Sequence, residues 1–139
     1  MINAGLFTSN TPEWETPQDL FEKLDKEFHF NFDVCATKEN AKVGRFWNKL
    51  EDGLSKEWTY LRAWMNPPYG REIGKWVKKA SEARGGVVVC LLPARTDTKW
   101  FHEYIYDNPN AKVRFLKGRL KFGNSKNSAP FPSMIVIFK

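Results

Sequence analysis

The sequence predicts an α/β fold: a mainly parallel sheet, helices on both faces and an antiparallel last strand. Three observations carry this. Segments of strand and helix periodicity alternate along the chain, the pattern of βαβ units. Val87-Val88-Val89-Cys90-Leu91-Leu92 is a continuous apolar run, as expected of a strand covered on both faces. Polar clusters follow three of the strands, and ligands of such sheets bind beyond the carboxyl ends of strands, near the point where strand order reverses.

Each element has a local reason. Thr16-Pro17 reads as a helix start, with a hydroxyl cap, proline at the first helical position and Asp19 in the first turn. Leu20, Phe21 and Leu24 then form one apolar face, up to about Phe28. From Phe28 to Val34 the period becomes two, which predicts a strand with Asp33 near its end. Residues 35–60 carry scattered aromatics, Phe46, Trp47 and Trp58 among them, with no clear period. Leu61 to Met65 is a short strand stopped by Asn66-Pro67-Pro68. Ile73, Trp76, Val77 and Ala80 mark an amphipathic helix ending at Gly85-Gly86. The apolar strand closes at Pro93, and a helix follows over 97–106 with Trp100, Phe101, Tyr104 and Ile105 facing inward. Strands at Lys112 to Lys117 and Met134 to Phe138 flank a polar loop.

Composition narrows the function classes. The 139 residues are 42% hydrophobic, with Phe 11, Trp 6 and Tyr 4, enough for a packed core and incompatible with a disordered or collagenous chain. The length predicts a single domain over 1–139. No apolar run approaches the roughly 20 residues that cross a bilayer, and Met1 to Asn10 lack the features of an export signal. The two cysteines, Cys35 and Cys90, lie in apolar segments without metal-ligand neighbours, so a reduced intracellular protein is expected. The net charge of +6 hints at a polyanionic partner.

The chemistry concentrates at Asn66-Pro67-Pro68-Tyr69. Two consecutive prolines fix φ at about −65° and remove two donors, so the Pro67 carbonyl can serve as a rigid outward acceptor. The Asn66 side-chain oxygen is a second acceptor and Tyr69 a flat aromatic face. Two acceptors beside a ring would hold a planar group bearing an NH₂, such as the edge of adenine. That amine is a poor nucleophile, because its lone pair is delocalised into the ring. Accepting both hydrogens frees the lone pair, and an aromatic face attracts the positive charge that develops.

This signature resembles that of S-adenosylmethionine-dependent amino methyltransferases. Further segments resemble the phage-type DNA N-6-adenine methyltransferase family: Glu15-Thr16-Pro17, Phe32-Asp33-Val34-Cys35-Ala36, Leu92-Pro93-Ala94-Arg95-Thr96-Asp97-Thr98 with Trp100-Phe101-His102, Gly118-Arg119-Leu120-Lys121-Phe122 and Ala129-Pro130-Phe131-Pro132-Ser133. The resemblance implies a minimal Rossmann-like class I methyltransferase fold that transfers methyl from S-adenosylmethionine to N-6 of adenine in DNA. It implies Asn66, Pro67, Pro68 and Tyr69 as the catalytic cluster. It implies Asp33, Cys35 and Ala36 at the methionine end of the cofactor, with Thr16 and Pro17 at the same site. Glu39 and Asn40 are candidates to grip the ribose hydroxyls. It implies no metal, because the sulfonium is already an activated methyl donor. Arg95, Arg119 and Lys121 would meet DNA phosphates, and Phe122 would pack against the flipped base. By the same resemblance the protein is phage-encoded and cytoplasmic in a bacterial host, with protection of DNA from restriction as one role. No separate target-recognition domain is expected, and single-stranded or frayed DNA would be the easier substrate. Two features depart from the wider fold: Cys35-Ala36-Thr37 stands where glycines are usual, and residues 37–60 show no second strand.

Blander readings stand beside these. Asn66 to Tyr69 also makes a plain turn, Asp33 a loop cap and Thr16-Pro17 a helix start alone. The tryptophans and both cysteines suit the core, and His29 and His102 have no visible partner. Lys75, Lys78 and Lys79 suit a solvated helix face, whereas Arg114, Lys117, Arg119, Lys121 and Lys126 lie more densely beside a loop. The alternatives are methyl transfer to cytosine N-4, RNA adenine or protein glutamine, or a silent DNA-binding module.

Overall fold

The computed structural model describes residues 14–123 and 125–139. The expectation about an export signal in Met1 to Asn10 lies outside the described residues. Helix α1 (Gln18–Phe28) buries Phe21 and Leu24, with Phe21 edge-on to Trp64 at 5.5 Å. Its cap is Pro17 rather than Thr16, whose hydroxyl is engaged elsewhere.

Strand β1 is Phe32–Asp33, much shorter than the alternation from Phe28 suggested. The earlier residues are used to leave the helix. His29 takes a left-handed conformation at φ 54° and donates to the Asp25 carbonyl at 2.8 Å. The Asp25 carboxylate then accepts from the Phe30 N–H at 2.9 Å. Phe28 and Phe30 alternate in sequence, yet their rings stack on one another at 6.0 Å.

Strand β2 (Arg62–Met65) pairs in parallel with β1, and β3 (Val87–Pro93) pairs in parallel with β2. All seven residues of β3 are buried, as its unbroken apolar run requires. Strand β5 (Ser133–Phe138) runs antiparallel to β3, and β4 (Ala111–Phe115) antiparallel to β5 at the edge. The order is β1-β2-β3-β5-β4. The expected parallel dominance is therefore not seen: two pairings are parallel and two antiparallel, because the last strand inserts between β3 and β4.

Asp33 also bridges Phe46 in parallel on the side of β1 away from β2. The chain thus leaves β1 outward and returns to its other side, so strand order reverses at the carboxyl end of β1. That is where an open α/β sheet has its crevice.

Helix α2 (Ile73–Glu82) buries Ile73, Trp76, Val77 and Ala80. It stops before Gly85-Gly86, since Ala83 is already extended and Arg84 bridges Thr59. Gly86 serves close approach instead, as a Cβ there would lie 2.0 Å from the Leu61 carbonyl oxygen. Helix α3 (Lys99–Phe101) starts later than expected, where the Thr98 hydroxyl accepts from the Phe101 N–H, and continues as a π-helical turn over His102–Tyr106. Phe101 and Ile105 face inward as anticipated. No helix among the described residues is long and apolar enough to cross a membrane.

Candidate active site

A cavity of about 500 Å³ opens beyond the ends of β1 and β2. That volume falls within the roughly 300–1,000 Å³ of small-molecule sites. Of the candidate residues, Thr16, Asp33, Cys35, Ala36, Asn40, Asn66 and Pro68 line it. These come from three separate stretches of chain, brought together by the parallel pairing of β1 with β2 and by the entry to α1.

Asp33 is the most unusual group. It is only 2% exposed, and its carboxylate accepts from the N–H of Cys35 at 3.2 Å and of Lys42 at 3.0 Å. Burial pushes its pKa up to about 7, against the lowering effect of those two N–H groups and of the Lys42 charge. The turn beyond it is closed locally: Asn40 Oδ1 accepts from the Thr37 N–H at 2.7 Å, and the Thr37 hydroxyl from the Asn40 N–H at 3.2 Å.

Asn66 follows β2 directly. Its Nδ2 donates to the Trp14 carbonyl and, at 2.9 Å, to the Thr16 hydroxyl oxygen. Its Oδ1 is buried and accepts from nothing among the described residues. An unmet buried acceptor costs about 1–3 kcal/mol, so its persistence needs a reason.

Tyr69 is not presented as an open face. It is 7% exposed, donates to the Leu91 carbonyl at 3.1 Å, and meets Phe131 edge-on at 5.6 Å. Its buried environment holds the hydroxyl well above its ordinary pKa, so it stays protonated. Phe122 is fully covered as well, 5.3 Å from Trp14 and 6.0 Å from Phe131. Pro17 and Pro67 do not line the cavity, and Arg95, Arg119 and Lys121 are exposed outside it.

Gly53 also lines the cavity. A Cβ there would fall 2.2 Å from the Val34 carbonyl oxygen and 3.1 Å from the Trp76 ring. Gly53→Ala is therefore expected to push back the backbone that carries Asp33, costing about 1–3 kcal/mol. Urea unfolding of the variant checks this.

Such a site, with a titrating carboxylate at one strand end and an orphan amide acceptor at the next, suits a small cationic ligand beside an amine. A family profile described as DNA N-6-adenine-methyltransferase (Dam) matches residues 5–139. The chain belongs to this DNA N-6-adenine-methyltransferase family. A DNA N-6-adenine-methyltransferase of Haemophilus phage HP1 is 28% identical over 150 aligned positions, which take in all of this chain and 85% of the phage protein.

For this adenine methyltransferase, the reading of motifs left out part of the cavity wall. Trp47 and Trp76 both line it, as does Trp14. Nothing in the sequence separates a cavity-facing indole from a core one. Lys42 was also missed, because its main contact with Asp33 is through a backbone N–H, which has no side-chain signature, and its charge adds only a smaller effect.

Proposed function

We propose that the cavity holds S-adenosylmethionine, and that the chain is a single-domain enzyme transferring its methyl group to the exocyclic N-6 amine of adenine in DNA. When bound, the cofactor supplies an electrophilic methyl on a sulfonium. Asp33 would accept from the ammonium of its methionine end beside the Cys35-Ala36 turn, with Asn40 toward the ribose hydroxyls. A carboxylate kept partly protonated by burial gains its charge when a cation arrives, which fits this role.

The observation that carries the reading is the buried, unpartnered Oδ1 of Asn66. It has a lone pair to offer and no donor until an N–H enters. Together with the Pro67 carbonyl it accepts both hydrogens of the target amine, frees the lone pair for attack and disperses the charge that develops. The effect is one of positioning and preorganised electrostatics. The entering base meets the aromatic cover of Trp14, Phe122 and Phe131 before it can reach Tyr69.

The reversal of strand order at β1 supports a Rossmann-like class I fold whose sheet is trimmed to five strands. The place of action in this reading is the cytoplasm of a bacterial host. Flipping a base from a duplex costs a few kcal/mol, so single-stranded or frayed DNA reacts faster.

The phosphate-binding face is the loop with Lys117, Arg119, Lys121 and Lys126, all exposed. Arg114 drops out, since it is held on Glu27 by a bidentate pair at 2.8 and 2.6 Å. With about four phosphates neutralised, the log–log salt dependence of DNA binding has an expected slope of about −3 to −4. Fluorescence anisotropy across a salt series measures it, and a slope near zero would remove this face as the DNA contact.

Titration with S-adenosylmethionine tests the proposal. Trp14, Trp47 and Trp76 line the cavity, so saturable quenching of tryptophan fluorescence is expected. Labelled methyl should then pass to DNA. No binding would refute the cofactor site, and label on RNA or protein alone would refute the substrate.

A further inference from the structure

A carboxamide can be held two ways round, and only one serves the reaction. With Oδ1 toward the target, Asn66 accepts from the amine; turned over, it presents an NH₂ that repels one. Its partners decide which way it lies. Both hydrogens of Nδ2 are committed, one to the Trp14 carbonyl and one to the Thr16 hydroxyl oxygen at 2.9 Å. Turned over, Oδ1 would face the lone pairs of the Trp14 carbonyl, which has no hydrogen to give. A single acceptor would still let the amide plane pivot about that bond. Two acceptors fix it.

The segment that supplies these acceptors is itself held from both sides. The Trp14 indole lies 5.3 Å from Phe122 and 5.2 Å from Phe131. The Glu15 carbonyl accepts from the Gly123 N–H at 2.9 Å. On the other side, the Pro17 carbonyl accepts the first bond of α1, from the Phe21 N–H at 3.1 Å. Thr16 sits between these anchors, only 3% exposed, with its hydroxyl aimed at Asn66 rather than at the helix it precedes.

We infer that Thr16 is a positioning residue for catalysis: its hydroxyl, with the Trp14 carbonyl, locks the Asn66 amide so that Oδ1 faces the target amine. The inference rests on the role of Asn66 proposed above. It differs from a role for Thr16 in the cofactor contact alone, because it places the effect on the chemical step rather than on cofactor affinity.

The test compares Thr16→Val, which keeps the shape and loses the acceptor, with Thr16→Ser, which keeps the acceptor. Turnover is measured with S-adenosylmethionine and unmodified DNA, both saturating, and cofactor affinity by tryptophan quenching. Thr16→Val is expected to lower kcat about 10- to 100-fold, the scale of a misplaced reacting group, with cofactor Kd within about 3-fold. Thr16→Ser should restore kcat to within about 3-fold. In an Asn66→Ala background Thr16→Val should have no further effect on kcat, a non-additivity that general destabilisation does not produce. Wild-type kcat in Thr16→Val, a loss confined to Kd, no rescue by serine, or additive losses would each overturn the inference. A wild-type protein that methylates no DNA would instead refute the underlying reading of Asn66.

Discussion

Asn66→Ala is expected to lower kcat for DNA methylation by about 10²- to 10³-fold, the usual cost of removing one preorganised group that stabilises developing charge. The change deletes the only buried side-chain acceptor in the cavity wall that has no partner among the described residues. It also frees the Trp14 carbonyl and the Thr16 hydroxyl of their donor, at a stability cost of about 1–2 kcal/mol. That cost is too small to unfold an ordinary domain, so folded protein that still binds cofactor but turns over slowly is the outcome. Single-turnover rates with cofactor prebound, alongside thermal denaturation, separate the two effects. An unchanged rate would show that the orphan oxygen has no part in the chemistry.

The second large effect concerns Asp33 and pH. Burial raises its folded pKa from 3.8 to about 7, so the folded protein holds a proton there that the unfolded chain has released. Between those two values the unfolded state binds fewer protons, and stability must fall as pH rises. The stabilisation from this group is fully present below pH 3.8 and is lost as pH rises to about 7. At 1.36 kcal/mol per pH unit the whole change is of the order of 4 kcal/mol. Cofactor affinity runs the opposite way. The ammonium needs the carboxylate ionised, so affinity should improve up to about tenfold per unit as pH approaches 7 and level off above it. Below pH 7 each binding event expels a proton, which calorimetry in buffers of different ionisation enthalpy counts directly. Asp33→Asn should weaken binding by at least tenfold near pH 8 and flatten the profile. A variant with the wild-type profile would take Asp33 out of the cofactor site.

Much of the site was legible because its residues sit where strands stop. Asp33, Cys35 and Ala36 end one strand and Asn66 to Tyr69 another; parallel pairing of those strands then carries Asp33 and Asn66 to one cavity. Thr16 was legible as a residue before a helix, but its cap role was not what the structure uses, since its hydroxyl bonds a side chain 50 positions away. Distance in sequence likewise hides the burial of Tyr69, which packs against Phe131, and of Phe122, which packs against Trp14.

Residues 35–60 were illegible for a different reason. They are ordered by turns in which side chains bond nearby backbone, such as Asn48 with Glu51 and Asp52 with Leu54, and such turns leave no hydrophobic period. The antiparallel β5 was anticipated, yet its insertion between β3 and β4 is a non-local pairing that no local pattern announces.

The central claim is that this cavity methylates adenine through Asn66, and product analysis tests it most directly. Wild-type protein and Asn66→Ala are incubated with S-adenosylmethionine and unmodified DNA, the DNA is digested to nucleosides, and the methylated base is identified by mass spectrometry. N-6-methyladenine from the wild type, reduced at least a hundredfold in the variant, is the predicted result. A different methylated base, no product, or equal product from the two proteins would contradict it.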